Sequence, residues 1–152
     1  MTPVVIDASA GVELVADTIR GRAPRGLLPS DAIPWVPEIF YVECGAVLRR
    51  WDLNRVLTEE EITTAVDQLL AWPLRIVQVR TLFGDAWRRR ANMTFPDAVY
   101  VALAEHLDAP LLTDDHKTRQ HAHPPRQGAA AVVAYVRSPL AGCRKMSRPP
   151  GS

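Results

Sequence analysis

Two short, largely apolar runs, each followed at once by aspartate, most strongly limit what this chain can fold into. Residues 3–6 precede Asp7, and residues 110–113 precede Asp114 and Asp115. A short apolar run without polar alternation is typical of a strand that is buried on both faces, as strands are in parallel sheets. Parallel strands need long crossover connections, so we expect helices to cover this sheet.

The segments between these runs are mainly helical. Apolar residues recur at helical spacing, and the predicted helices cover residues 8–17, 38–50, a segment after Thr58, 82–92 and a segment that starts at Pro96. The helix after Thr58 is the best defined, because Thr58 and Glu61 form the pattern of a capping box. Further strands are predicted at residues 75–79 and, at an edge of the sheet, at 129–136.

Residues 18–37 interrupt this pattern. They contain four prolines and two glycines, so we expect irregular chain or a short helix there. The order of the predicted elements indicates an α/β fold, with a mainly parallel central sheet flanked by helices. A length of 152 residues, with 47% hydrophobic and 23% charged residues, is typical of one globular domain.

Acidic and basic side chains are concentrated in different parts of the chain. Residues 1–115 carry eleven arginines and all seventeen acids, whereas residues 116–152 carry seven basic residues and no acid. Clustered cations favour a polyanionic partner such as nucleic acid, although a solvated tail explains the same charges. We expect the folded domain to occupy residues 1–137, and residues 138–152 to form a disordered basic tail rich in Pro and Gly.

Neither a membrane segment nor a disulfide framework is predicted. No stretch reaches the roughly 18 apolar residues of a membrane span, and the first residues lack the pattern of a signal peptide. Cys44 and Cys143 are too few and too far apart in sequence for a disulfide scaffold. We therefore expect a cytoplasmic protein without membrane contacts.

Four acidic positions are candidate metal ligands. Because the carboxyl ends of parallel strands meet at one edge of a sheet, Asp7 and the pair Asp114 and Asp115 should lie close together. Glu43 has apolar neighbours at helical spacing, where an ionised carboxylate needs a metal ion or an arginine as its partner. Asp97 lies in the first turn of a helix, where the helix dipole favours a charged carboxylate. For each aspartate, capping of the following helix is the competing explanation.

The ligand types favour Mg²⁺ or Mn²⁺. Both ions prefer oxygen ligands, and the sequence has no cysteine cluster and no histidine pair at helical spacing. A zinc site is the less favoured alternative, since its ligands match no established spacing; they would be His116, His121, His123 and Cys143. A phosphatase with Asp7 as covalent nucleophile is also less favoured, because Ser9 stands where such enzymes usually have a second aspartate. Nucleotide-binding and serine hydrolase motifs are absent.

Four segments carry these acids in a specific order: VIDASA at Asp7, VE at Glu43 followed by VLRR, DAVYVALAE from Asp97, and LLTDD ending at Asp115. In order and spacing they resemble the PIN-domain ribonucleases, and most closely the VapC-type toxins of bacterial toxin–antitoxin pairs. The resemblance covers residues 3–136, and its most specific part is the DAVYVALAE segment with LLTDD shortly after it.

The resemblance implies a divalent-metal-dependent endoribonuclease that is the toxin of such a pair, with Mg²⁺ or Mn²⁺ as cofactor. Its metal-binding and catalytic acids would be Asp7, Glu43, Asp97 and Asp115, and its supporting polar groups would be Ser9 and Thr113. Its partners would be an RNA substrate, a second copy in a homodimer, and an antitoxin whose basic segment occupies the acidic pocket.

Three features depart from the family pattern without removing an acid. Ala46 stands where many relatives have asparagine, Thr118 stands where they usually have leucine, and the tail from Ser138 has no counterpart. The alternative function is a catalytically silent PIN-like binding module, whose acidic pocket seats an arginine-bearing partner.

A run of arginines is the last candidate feature. Residues 88–90 are all arginine, and with the basic end of the chain they would contact the RNA backbone without reading its sequence. A solvated helix face is an equally good explanation of this run.

Overall fold

A four-stranded parallel sheet organises the part of the chain that the computed structural model describes, namely residues 1–19, 28 and 30–113. The strands lie in the spatial order β3-β2-β1-β4, and every neighbouring pair is parallel. Their bounds are Thr2–Ile6 (β1), Ala32–Pro37 (β2), Arg75–Val77 (β3) and Leu111–Leu112 (β4). The prediction of an α/β fold with a parallel sheet is confirmed.

Five helices occur in the same part of the chain: Ala8–Ile19 (α1), Phe40–Leu53 (α2), Glu59–Ala71 (α3), Val79–Arg88 (α4) and Phe95–His106 (α5). Each predicted helix is present. The capping box that opens α3 is also confirmed, because the Thr58 hydroxyl accepts from the Glu61 N–H at 3.2 Å while the Glu61 carboxylate accepts from the Thr58 N–H at 2.8 Å.

Strand β2 lies inside the segment 18–37, which was predicted to be irregular or a short helix, and for residues 32–37 that prediction was wrong. The segment contains Pro34 and Pro37, and proline is normally excluded from an inner strand because it has no N–H for the ladder. Here Pro34 pairs in register only with Val4 of β1, and Pro37 pairs only with Val77 of β3. Each proline therefore interrupts the ladder on one side at most, and the burial of Val36 at 0% exposure favours the strand.

The boundary between β3 and α4 also differs from the prediction of a strand at 75–79 and a helix at 82–92. The strand ends at Val77 because the Val79 N–H, at the start of α4, donates to the Glu38 carboxylate at 3.0 Å. The Glu38 N–H in turn donates to the Val77 carbonyl at 2.9 Å, so α2 starts after Glu38 rather than at it. The predicted strand at 129–136 and the tail at 138–152 lie outside the described residues.

The core is centred on the sheet and α5. Seven consecutive residues of α5, 98–104, are buried, as expected for a helix enclosed on all sides. Helix α1 packs against α2 and α3, and the ring of Phe40 from α2 is completely buried. Among the described residues, no helix has both the length and the apolar character to cross a bilayer.

Candidate active site

Asp7 lies at the carboxyl edge of the sheet, directly between β1 and α1. Its N–H donates to the Leu112 carbonyl of β4 at 3.0 Å, and the residue is 6% exposed. Oδ1 of the carboxylate accepts from the Ser9 hydroxyl at 2.7 Å and from the Ala10 N–H at 2.9 Å. Asp7 therefore caps α1, as the competing explanation held. A carboxylate has about four lone-pair positions, so capping through Oδ1 is compatible with metal binding.

Glu43, in the first turn of α2, is half-buried rather than exposed. Its Oε2 accepts from the hydroxyl of Tyr100 on α5 at 2.6 Å. A metal ion or an arginine was the predicted partner of this carboxylate, and in the described residues the donor is instead a neutral hydroxyl. Because the donor is uncharged, Glu43 can stay negative and still attract a cation.

The charges around Glu43 show that three of the predicted acids share one region. Burial raises the pKa of the Glu43 carboxyl above its usual 4.5, and the negative charges of Asp7 and Asp97 raise it further. The hydrogen bond from Tyr100 acts in the opposite direction. Residues from β1–α1, α2 and α5 thus lie near enough for the charges of Asp7 and Asp97 to act on Glu43.

Asp97 lies in the first turn of α5, after the Thr94 cap. The Thr94 hydroxyl accepts from the Asp97 N–H at 3.3 Å and donates to Asp97 Oδ2 at 2.6 Å. These two bonds fix the carboxylate at the positive end of the helix dipole, where its negative charge is stabilised. The capping explanation and the ligand explanation are again compatible.

Of the remaining predicted residues, some lie in the described part of the chain and others lie outside it. Ser9 holds Asp7 through the hydrogen bond given above, and Thr113 is completely buried directly after β4. Asp115, its neighbour Asp114 and the departure at Thr118 lie outside the described residues. Ala46 is exposed on α2, one turn after Glu43.

The donor set suits a divalent cation such as Mg²⁺ or Mn²⁺. Within the described residues, no three His, Cys, Asp or Glu side chains form a ready-made group of ligands. Mg²⁺ usually keeps several of its waters and binds through only one or two carboxylates, so a closed protein cage is not required. The mutual repulsion of Asp7, Glu43 and Asp97 is the property that a bound cation would relieve.

Burial excludes the nearest thiol from this chemistry. The Cys44 side chain is 0% exposed and donates to the Ala8 carbonyl at an Sγ–O distance of 3.9 Å. Burial, together with the charges of Glu43 and Asp7, raises the pKa of this thiol to about 12. Cys44 is therefore a packing residue, and it places no thiolate beside the carboxylates.

The three consecutive arginines have different partners. Arg88 pairs with Asp85, and Arg89 pairs with Glu105 and also donates to the Asp85 carbonyl. The Arg90 guanidinium lies over the ring of Trp87, 4.8 Å from its centre. The arginines thus contact α4 and the last turn of α5, and their predicted contact with RNA stays a prediction.

Two further residues were not predicted from the sequence, namely Tyr100 beside Glu43 and the buried Glu13. Tyr100 follows Asp97 by three positions, a spacing that places both on one face of a helix, and that spacing was the available signal. Glu13, in α1, is only 5% exposed. No pattern singled it out, because a lone glutamate in a helix ordinarily faces solvent.

Comparison with known proteins places this chain in a family. Residues 4–124 match the family model described as the PIN domain. The chain is 37% identical to ribonuclease VapC1 of Mycobacterium tuberculosis, over 77% of this chain and 89% of that protein. It is 33% identical to ribonuclease VapC12 of the same species, over 79% of this chain and 93% of that protein.

A solved structure shares the fold. The crystal structure of PAE2754 from Pyrobaculum aerophilum matches with a TM-score of 0.52 at 20% identity, covering 77% of this chain and 82% of the other. At that identity the match concerns the fold alone. The family model and the two mycobacterial relatives together show that this chain belongs to the PIN-domain family, as a VapC-type member.

Proposed function

We propose that this protein is a divalent-metal-dependent endoribonuclease and the toxin of a toxin–antitoxin pair. One observation carries the proposal: the half-buried Glu43 lies among the charges of Asp7 and Asp97, and its polar partner is a neutral hydroxyl. Such a site keeps negative charge that an arginine would have cancelled. The mycobacterial relatives are named ribonucleases, which supports RNA as the substrate class.

Each acidic residue of the proposed site would have its own role in binding the metal ions. Asp7 would be the central ligand, Glu43 and Asp97 would hold one side, and Asp115 would complete the other side or orient the attacking water. When bound, Mg²⁺ or Mn²⁺ lowers the pKa of a water and offsets charge on the phosphoryl oxygens. Ser9 and Thr94 orient Asp7 and Asp97 through the hydrogen bonds described above. Thr113 would support the same edge of the sheet.

The partners follow from the same site. An antitoxin with a basic segment would inhibit by placing a cation among the three carboxylates, so inhibition and metal binding would compete. We also infer that the protein is a homodimer and that it acts on RNA in the cytoplasm. Equilibrium sedimentation tests the homodimer, because it gives the molar mass of the protein in solution directly. Arg90 and the basic end of the chain would contact the phosphates of the RNA.

The silent binding module is the less favoured function, because the relatives are named for nuclease activity. RNA cleavage distinguishes the two functions. It is measured for the wild type with Mn²⁺ and with EDTA, and for the variant Asp7→Asn with Mn²⁺. We expect cleavage only with the divalent ion, and none from the variant. Asparagine caps helices as well as aspartate does, so α1 should persist and the circular dichroism spectrum should be unchanged.

Asp31→Asn is the matched control, because Asp31 precedes β2 at the opposite edge of the sheet and pairs with the chain's amino terminus. This variant should cleave RNA as the wild type does. Cleavage that persists in EDTA, or that survives in Asp7→Asn, would contradict the proposed function.

A further inference from the structure

Tyr100 connects the two helices that supply Glu43 and Asp97. Its side chain is 2% exposed, and its hydroxyl lies 2.6 Å from Glu43 Oε2, across 57 residues of sequence. Tyr100 also stands one helical turn after Asp97 on α5, so its ring rises from the same face that carries this acid. A buried hydroxyl needs a hydrogen-bond partner, and within the described ranges the Tyr100 hydroxyl donates to the Glu43 carboxylate.

The side chain of Glu43 needs this hydrogen bond to keep its orientation. Its side chain has several rotatable bonds, and the charges of Asp7 and Asp97 repel it. Without a donor, the favourable response would be to rotate toward solvent, away from the other acids. A hydroxyl in a fixed, buried ring prevents that rotation while leaving the carboxylate charge intact.

We propose that Tyr100 is a positioning residue, which keeps Glu43 turned toward Asp7 and Asp97 before a divalent cation arrives. The inference rests on the proposed metal-dependent function and adds a residue to it. Partners that orient metal ligands typically change metal affinity by about 10- to 100-fold when they are removed. Tyr100 uses one oxygen of Glu43 and leaves a second oxygen in the same group.

The test is calorimetric titration of the metal-free protein with Mn²⁺. Tyr100→Phe removes one oxygen atom and keeps the ring, and we expect Mn²⁺ to bind about 10- to 100-fold more weakly. Tyr41→Phe is the control, because Tyr41 lies on α2 two residues from Glu43 with its ring edge-on to Phe40. This variant should bind Mn²⁺ as the wild type does. Titrations are run below the lowest melting midpoint of the set.

A double-mutant cycle separates positioning from general loss of structure. In a Glu43→Gln background, Tyr100→Phe should weaken Mn²⁺ binding no further, since the residue through which it acts has already lost its charge. Wild-type affinity in Tyr100→Phe, or an equal loss in both backgrounds, would overturn the inference. If the wild-type protein itself binds no Mn²⁺, the proposed function fails instead, so the two failures are distinguishable.

Discussion

Glu43 separates the metal-site explanation from a purely structural one, because the two predict opposite effects of the same substitution. We expect Glu43→Gln to bind Mn²⁺ measurably but more weakly than the wild type, while the metal-free variant is at least as stable as the wild type at pH 7. Glutamine can still accept from Tyr100, and it removes a charge that Asp7 and Asp97 repel. Melting curves with and without Mn²⁺ measure both effects.

The pH dependence has a definite sign. The folded pKa of Glu43 is raised above its unfolded value of 4.5, so this group favours folding below pH 4.5 and loses that contribution as the pH rises through the folded pKa. The stability of the wild type relative to Glu43→Gln should therefore fall between pH 4 and pH 7. A variant weakened by about 3 kcal/mol or more with unchanged Mn²⁺ affinity would instead indicate a broken buried ion pair.

The adjacent acids after Thr113 should differ in function. Neighbouring side chains at the end of a strand point in different directions, and the family spacing assigns the ligand to Asp115. We expect Asp115→Ala to reduce RNA cleavage by orders of magnitude, and Asp114→Ala to change it by less than about tenfold, or 1.4 kcal/mol of barrier. Single-turnover rates with saturating Mn²⁺ measure this, and the reverse ranking would place the ligand at Asp114.

The places of Asp7, Glu43 and Asp97 in the fold could be predicted from sequence, whereas the partner of Glu43 could not. Asp7 and Asp97 have local partners within three residues, so strand ends and helix starts were enough to locate them. The partner of Glu43 lies 57 residues away, and its identity as tyrosine rather than arginine depends on how α2 and α5 pack. Apolar spacing showed that this glutamate needs a partner without showing which one.

Among the elements, α1 and α2 meet at Gly11 with no room to spare. A Cβ atom at Gly11 would stand 2.6 Å from Cζ of Phe40, whose ring is fully buried. We expect Gly11→Ala to lower the free energy of unfolding, because overpacking costs about 1 to 3 kcal/mol. This loss exceeds the helix-propensity gain of up to about 1 kcal/mol. Urea denaturation measures the balance.

Gly45 provides the control for that measurement. It lies on α2, exposed, and a Cβ atom there would meet nothing within 4 Å. Gly45→Ala should therefore gain up to about 1 kcal/mol from helix propensity alone. If both alanine variants were stabilised to the same degree, the close approach of α1 and Phe40 would be disproved.

Strand β2 shows where sequence patterns mislead at this scale. Four prolines within twenty residues favoured irregular chain, yet two of them lie in an inner strand. The deciding facts are tertiary: β1 and β3 pair with different parts of β2, and Val36 is buried between the sheet and the helices. A pattern in a single segment carries no information about which neighbours will pair with it.

At the scale of the whole molecule, the negative net charge of residues 1–115 repels the proposed substrate, which is also negatively charged. Residues 1–115 carry six more acids than arginines, and the proposed substrate is a polyanion. The salt bridges at Asp85 and Glu105 use arginines already counted in that difference, so they leave the excess of acid unchanged. Attraction between this part of the chain and RNA therefore depends on cations, whether bound metal ions or the basic residues that follow Asp115.

The pairing of the first strand with the last described one also bears on how the protein is made. Val5 aligns with Leu111 and Ile6 with Leu112, so the sheet joins segments more than one hundred residues apart. During translation, β1 leaves the ribosome long before β4 has been synthesised, and closing so long a loop is a slow event. Asp7 obtains its backbone partner only when Leu112 arrives. A nascent chain thus remains without its completed acidic edge until the ribosome has synthesised Leu112.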